Sequence, residues 1–567
     1  MTLTPDIAPH VEELVQRYPR AIAHLWRQRS EKRLSLLFGA GASQPLRFPS
    51  WEDLVAHLRD HREVNARASG GTSVKRDPLP SVAEVTFQHY RNRNLDSVLK
   101  DCEGNLNTAD RVIMARWVQL IREELYREAP KTGSALLRRD RVYKHFLDII
   151  RVSPLTVTYN FDDSIERLLL TTRRGSVAEA KRGYDTIVDI RLPFRLQTGN
   201  IFHVNGFIPY NDLEMTSEAV VLGESAFEDQ VLDVIAGSHT SLLHSVSKHT
   251  YLLVGTSLQD QSLRHLLHQS AFLNPGHVHY RIEYIGETRG RFSEDRKRDL
   301  VDAHFDAYNL VTLFLSAPEI AALGRVLAAK HEELLDFLDS PLGMNRETLF
   351  FTYYLTGVPG VGKTTSFRHF TSLRAHDELS DERHPLLRKA WTKLNDRQRA
   401  EVDDWIAGQF EKKNRRLRDE CSNPGIGMNI VDRCPLDPMA FVSASDWSVR
   451  ADALRKTIRG RRASSIEPGR VILLTADVNE TLRRARTKNR QLGANPGLVQ
   501  DQQDTYLQTV YASPGCVQVK CNDLSIFEMT KEVARQVFLT PYEPAQLDDR
   551  LADFARGVIL PSSGAGP

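Results

Sequence analysis

The chain has 567 residues, too many for one hydrophobic core, and a rule of about one domain per 150 residues points to two to four domains. Lysine and arginine total 75 against 73 for aspartate and glutamate, so a net charge of +2 supplies no global field for nucleic acid or an anionic membrane, and any anion site has to be local. The five cysteines, Cys102, Cys421, Cys434, Cys516 and Cys521, include no CxxC pair, which argues against a zinc ribbon or a disulfide framework and fits a reduced, cytoplasmic protein.

The opening stretch "MTLTPDIAPHVEELVQRYPRAIAHLW" has scattered charges and reads as an amphipathic helix rather than a signal peptide. No run approaches the ~18 apolar residues of a membrane span. The apolar run "RLSLLF" then breaks into the small-residue turn "GAGAS". About ninety residues, 59–150, follow with helical patterning and no strand signal, and read as a helical module inserted into a sheet. The runs "SPLTVTYN", "IFHV", "HTYLLVGTS", "YRIEYIG" and "NLVTLFLS" come next, separated by helical patterns, as in a parallel sheet with crossover helices. An amphipathic helix, "EIAALGRVLAAKHEELLDFL", and the turn-rich "DSPLGMN" close a first domain over 1–338. A second strand and helix series, "LFFTYYL", "GMNIVD", "GRVILLTADV" and "CVQVKCN", forms a domain over 346–545, and 546–567, ending "LPSSGAGP", reads as a disordered tail. The expected fold is α/β: a Rossmann-like parallel sheet with a helical insertion, followed by a second P-loop α/β domain.

In the first domain, Gly39, Ala40, Gly41 and Ser43 lie between a strand and a helix, where glycines let backbone N–H groups approach a pyrophosphate. The fingerprint is incomplete, because Gln44 stands where a third glycine would be. Three more strand ends carry polar groups: Thr158, Asn160 and Asp162 in "TVTYNFDD", His203 and Gly206 in "IFHVNGF", and Gly255, Thr256 and Ser257 in "YLLVGTSLQD". Ser257 reads equally as an N-cap for the following helix or as a ligand contact.

Taken in order over residues 30–335, GAGxS, TxNxD, a histidine-and-glycine strand end and GTSL resemble the sirtuin family. The resemblance implies a domain that binds NAD+ and cleaves its nicotinamide bond. Sirtuin deacylases carry a zinc module of two CxxC pairs and a GIPDFR-type loop; this chain has neither, reading "QPLRFPSW" after the turn. Both departures resemble the zinc-less sirtuin-like domains of bacterial antiphage defence proteins, which hydrolyse NAD+ outright. Asn160 would then hold the ribose and position a water, and His203 would act as general base. The sirtuin histidine directly precedes its glycine, a place held here by Asn205, so His203 reads either as the base or as a hydrogen-bonded core histidine.

In the second domain, "GVPGVGKTT" fits GxxxxGK[ST] between a strand and a helix. Gly357, Gly360, Gly362, Lys363, Thr364 and Thr365 would cradle the phosphates of ATP or another nucleotide, with Thr364 on Mg2+. "NIVDRCPLDPMAF" and "LLTADVNETLRRARTKNRQ" resemble nucleoside and nucleotide kinases, thymidylate kinase among them. Asp432 and Arg433 match the family's DR motif at the acceptor, and Arg483, Arg486 and Arg490 are candidates for its lid, or form a solvated helix face. The run "EKKNRRLRDE" lacks aromatic interleaving and reads as a solvated helix, not a nucleic-acid site.

The combined reading is a cytoplasmic NAD+ hydrolase, expected as a homo-oligomer, controlled by a nucleotide-binding kinase-like domain. A nucleotide kinase with a regulatory NAD+- or ADP-ribose-binding domain is the first alternative. An NAD+-dependent deacylase or ADP-ribosyltransferase is the second.

Overall fold

The computed structural model describes residues 3–64, 78–172, 184–188, 198–211, 217, 220–235, 240–286, 292–340, 342–344, 346–377, 384–388, 394–422, 425–460, 464–487 and 496–559. Two all-parallel sheets organise it, one of seven strands and one of five. The chain divides into two compact units: Met1–Leu14, Gln28–Ala271 and His279–Lys330 form the first, and Val15–Arg27, Phe272–Val278 and His331–Pro567 the second.

The seven-stranded sheet is built from β1 (Leu34–Phe38), β2 (Thr156–Thr158), β3 (Asp185–Ile187), β4 (Asn200–His203), β5 (Thr250–Val254), β6 (His279–Tyr284) and β7 (Leu310–Leu315), in the order β3-β4-β2-β1-β5-β6-β7. Every residue of β1, β2, β4, β5 and β7 is buried, so these strands are covered on both faces. That explains the apolar stretches Leu36–Phe38 and Tyr251–Val254 within β1 and β5, where a half-exposed strand would alternate. The register pairs Phe38 with Thr158 on one side and with Val254 on the other. The chain leaves β1 toward β2 and later returns to its opposite flank as β5, so β1 sits at the reversal of strand order, where open parallel sheets bind ligands.

Between β1 and β2 run the helices Trp51–Asp60, Leu79–Asp101, Leu106–Leu125 and Gly133–Arg139, as the strand-free patterning predicts. Three of them are N-capped by their own side chains: Ser50 accepts from the Asp53 amide, Asn105 from Thr108 and Thr132 from Ala135.

The five-stranded sheet comprises β8 (Phe350–Gly357), β9 (Arg374–His376), β10 (Gly427–Asp432), β11 (Arg470–Thr475) and β12 (Cys516–Lys520), in the order β12-β11-β8-β10-β9. Its central strand ends at Gly357. The expected tail from 546 needs correcting: Leu547–Ala555 is a helix whose Leu547, Leu551 and Phe554 are buried, Phe554 packing edge-on to Trp447 at 5.3 Å. Residues 560–567 lie outside those described. The run around Lys412 is helical, within Asp396–Ser422, but not solvated throughout. Lys413 is buried and donates to the Asp432 carbonyl at 2.7 Å.

Candidate functional site

In the first unit the glycine turn after β1 meets the turn after β5. A β-carbon on Gly39 would lie 2.7 Å from the Gly255 carbonyl oxygen, and one on Gly255 would lie 2.4 Å from the Ala42 nitrogen. Gly255 also has a φ of +70°. These glycines therefore let two backbones touch. The amides of Gly39 and Gly41 donate across the gap to the Val254 and Gly255 carbonyls, while those of Ala42 and Ser43 close a tight turn on Gly39 and Ala40. Arg281, buried on β6, secures the second turn by donating to the Thr256 carbonyl at 2.9 Å and pairs with Glu283 at 2.8 Å. The Thr256 hydroxyl is buried beside Gly39 and has no hydrogen-bond partner among the described residues, so it is poised for a polar group brought by a ligand.

Asn160 follows β2 and is 8 % exposed. Its Nδ2 donates to the Gly39 carbonyl at 3.2 Å, to Ser43 Oγ at 2.8 Å and to the Tyr143 hydroxyl at 2.9 Å. A carbonyl oxygen only accepts, so Gly39 fixes which amide atom faces inward. The oxygen Oδ1 takes part in none of these bonds. Ser43 donates onward to Asp162 Oδ2 at 3.1 Å, and Asp162 Oδ1 accepts the Ser164 amide at 3.0 Å. Burial raises the Asp162 pKa, against the Ser164 and Ser43 hydrogen bonds and the charge of His203, which lower it. Thr158 positions the same turn through its Oγ1, which accepts the Asn160 amide at 3.1 Å.

His203 is deeper, 1 % exposed. Its Nδ1 lies 2.9 Å from the Asn160 carbonyl oxygen and its Nε2 lies 2.9 Å from Glu166 Oε1. Both partners are acceptors. Burial pulls the pKa down, but the Glu166 carboxylate and the Asn160 carbonyl outweigh it and the net shift is upward. Held between the Asn160 carbonyl and the Glu166 carboxylate, His203 braces the Asn160 backbone with both ring nitrogens engaged. Asn205 is also engaged, donating to the Tyr159 carbonyl at 3.0 Å and accepting from Gln230 at 3.2 Å.

Ser257 is exposed, and the helix Gln261–Leu273 is capped instead by Asp260, whose Oδ1 accepts the Leu263 amide at 2.9 Å. The capping alternative for Ser257 is thereby replaced. Tyr143, Glu166 and Arg281 were not singled out from sequence. Glu166 sits four residues after Asp162, a spacing that a search for a histidine partner could have flagged; Tyr143 has no local signal.

In the second unit, Gly357, Gly360 and Gly362 have φ values of +142°, +94° and +118°, which only glycine adopts without strain. Lys363 is buried and its ammonium donates to the Gly357 carbonyl at 2.5 Å and the Val358 carbonyl at 3.0 Å, spanning the turn. Thr364 Oγ1 lies 3.5 Å from Asp432 Oδ2, so the hydroxyl expected on Mg2+ faces the carboxylate expected at the acceptor. Arg433 takes a φ of +72°, unusual for a side-chain-bearing residue, and lines a small cleft against Gly357, Val358 and Pro359.

The arginine-dense helix is Val478–Thr487. Arg483 is exposed and pairs with Glu480 at 2.7 Å, and Arg486 is exposed. The neighbour Arg484 reaches the glycine turn after β8 instead, donating to the Val361 carbonyl at 3.0 Å and to those of Cys521 and Leu524, both at 3.2 Å. Arg490 lies outside the described residues.

The first unit is thus a doubly wound α/β domain with its polar side chains gathered at the carboxyl ends of adjacent strands, the arrangement of a ligand-binding domain. Residues 154–308 match the family model of the SIR2-like domain. The chain therefore carries a SIR2-like domain, which implies NAD-related activity. The match runs from just before β2 to the helix preceding β7, leaving outside it the glycine turn that β1 places beside β5. None of the curated proteins matches the chain. Among the described residues, no helix is long and apolar enough to cross a membrane.

Proposed function

We propose that the chain is an NAD+ hydrolase, an effector of antiphage defence whose P-loop domain binds a nucleotide and controls it. The observation that carries the first part is the fixed amide of Asn160 within a SIR2-like domain: its NH2 group is held by Gly39, Ser43 and Tyr143, leaving Oδ1 for a ligand. The Thr256 hydroxyl, buried without a hydrogen-bond partner among the described residues in the turn that meets Gly39, fits a ribose or phosphate group. In this reading Oδ1 accepts a hydrogen bond from a ribose hydroxyl or from the attacking water. Water adds to C1′, the C1′–nitrogen bond breaks, and its electron pair leaves with neutral nicotinamide; ADP-ribose forms and one proton goes to solvent. His203 acts here as a positioning residue, which replaces the general-base assignment, because its two nitrogens already face acceptors.

The same observation favours a second reading. Neither His203 nor Asn205 is free to take a proton, and a site without a base suits a domain that binds NAD+ or ADP-ribose to regulate a nucleotide kinase. Purified protein incubated with NAD+ alone separates the two. Release of nicotinamide and ADP-ribose in equal amounts, without a protein acceptor, supports the hydrolase. Binding without turnover under every nucleotide condition supports the regulatory module. Control by the second domain rests on differential affinity. Lys363→Ala should therefore change NAD+ turnover in the presence of nucleotide, and equal turnover by both proteins under all conditions would remove the coupling.

A further inference from the structure

The helix Glu224–Ile235 carries a buried amide that no motif pointed to. Gln230 is 5 % exposed, and its Nε2 donates to the Val204 carbonyl at 3.0 Å and to Asn205 Oδ1 at 3.2 Å. A carbonyl oxygen only accepts, so the Val204 bond fixes which amide atom is the nitrogen. The other atom, Oε1, is buried and has no hydrogen-bond partner among the described residues. Asn205 is oriented in the same way, its Nδ2 donating to the Tyr159 carbonyl at 3.0 Å. The donors therefore run in one direction, from Gln230 through Asn205 to Tyr159, and leave an acceptor at the head of the chain. Such an oxygen is costly to bury unless something donates to it.

The topology places that amide along the ligand edge of the sheet. Val204 and Asn205 follow β4, Asn160 follows β2, the Gly39 turn follows β1 and Thr256 follows β5, and the strands run in the order β4-β2-β1-β5. Polar groups are thus set out in that order, about 4.8 Å of sheet per strand. On the NAD+ reading of the first unit, Asn160 faces the reacting ribose and Thr256 faces a ribose or phosphate beyond it. In that orientation adenine and its ribose lie toward β5, away from Gln230. What remains on the β4 side of C1′ is the nicotinamide ring, whose only N–H donor is its carboxamide.

We propose that Gln230 is a specificity-determining residue: Oε1 accepts a hydrogen bond from the nicotinamide carboxamide, so that the site takes NAD+ and rejects its acid form, nicotinic acid adenine dinucleotide. In the acid form a carboxylate oxygen replaces the NH2 group, which brings an acceptor to an acceptor and leaves both unpaired. Asn205 is the positioning residue for Gln230. The assignment rests on the NAD+ reading.

The test uses the full chain with NAD+, nicotinic acid adenine dinucleotide, and ADP-ribose, which lacks the ring. Affinities come from titration calorimetry, and kcat/KM takes their place for a dinucleotide that is cleaved. The parental protein should prefer NAD+ to the acid form by about tenfold or more. Gln230→Met keeps the volume and should shrink that preference to about threefold or less by weakening NAD+, with ADP-ribose unchanged within about twofold. Gln230→Glu retains an acceptor oxygen and should keep the preference. An amide that only supports the fold would, when replaced, lower the melting temperature and leave the preference alone. Equal parental handling of NAD+ and its acid form overturns the proposal, and that result needs no variant to fold. So does a preference in Gln230→Met equal to the parental one, or a loss of ADP-ribose affinity as large as that of NAD+. If the parental protein binds neither NAD+ nor ADP-ribose, the NAD+ reading fails first and takes this proposal with it.

Discussion

Two glycine-rich turns end buried parallel strands in this chain, and they use glycine in different balance, the first mainly for close backbone approach and the second mainly for left-handed backbone. At Gly39–Ser43 the missing side chains make room for another stretch of backbone, and the amides of Gly39, Gly41, Ala42 and Ser43 are spent on carbonyls. At Gly357–Gly362 three glycines supply left-handed backbone, and a lysine ties the turn together from inside. A Cβ on Gly362 would meet the flexible end of Met529, at 2.6 Å, but one on Gly357 would meet the Leu474 carbonyl oxygen at 2.3 Å, so the second turn has one close backbone approach of the kind that Gly39 and Gly255 make in the first. The first turn is a joint between strand ends, and the second is a left-handed loop tied by a lysine, which fits the proposed nucleotide site. On the proposed reading, binding in the first unit would fall to side chains, Asn160 and Thr256, and binding in the second to the backbone with Lys363.

That contrast can be broken at several points. Asn160→Ala should reduce NAD+ cleavage at least about a hundredfold, the scale of losing one oriented polar group at a reacting centre; parental rates in a nicotinamide-release assay would contradict the role of the side chain. Lys363→Ala should weaken Mg-ATP about tenfold or more, by removal of a charged hydrogen-bond donor, and unchanged affinity by titration calorimetry would mean that the loop holds no phosphate. Gly255→Ala forces a side chain into both a left-handed residue and the Ala42 backbone, so it should cost more than ~1 kcal/mol and lower the melting temperature of the first unit. Gly343→Ala, with nothing within 4 Å, carries only the backbone term and should cost less. If the two melt alike, the joint is not tight.

Tyr143→Phe removes one of three acceptors of the Asn160 amide and should lower kcat about two- to tenfold with little change in KM. An equal loss in both would assign Tyr143 to binding instead. The smallest effect concerns pH. His203 has its pKa raised above 6.5 on folding, so its stabilising contribution is complete below about pH 6.5 and is lost as pH rises through the raised value. Asp163, pushed up to about 6 from 3.8 by burial, acts with the same sign, its contribution being lost as pH climbs from about 4 through 6. Melting of the first unit should therefore fall by a few degrees between pH 5.5 and 8.5. Glu166→Gln should flatten the upper part of that slope, and an unchanged slope would show that the pair does not titrate as described.

The long strands were legible because burial on both faces leaves continuous apolar runs, as in "RLSLLF" and "YLLV". The three-residue strands β3 and β9 were not, because so short an edge strand carries too few residues for any periodicity. Within the site, Asn160 and Ser43 could be named because each lies in a motif beside a strand end. Their meeting with Tyr143 could not, since that contact joins an inserted helical stretch to two strand ends through tertiary packing alone. His203 was visible as a residue, but the choice between a base and a hydrogen-bonded core histidine stayed open, because its acceptor partners, the Asn160 carbonyl and Glu166, become neighbours only when β4 pairs with β2. Arg484 was passed over for Arg483 because adjacent positions on one helix point about 100° apart, and only the P-loop's placement selects between them.

The central claim is that the oriented amide of Asn160 cleaves NAD+ without a protein acceptor. Its most direct test is a product analysis of NAD+ incubated with the full chain, parental and Asn160→Ala, with and without Mg-ATP and deoxynucleotides. The account predicts nicotinamide and ADP-ribose in equal molar amounts from the parental protein, in at least one nucleotide condition, and neither from the variant. Intact NAD+ in every parental reaction, or equal products from both proteins, would contradict it.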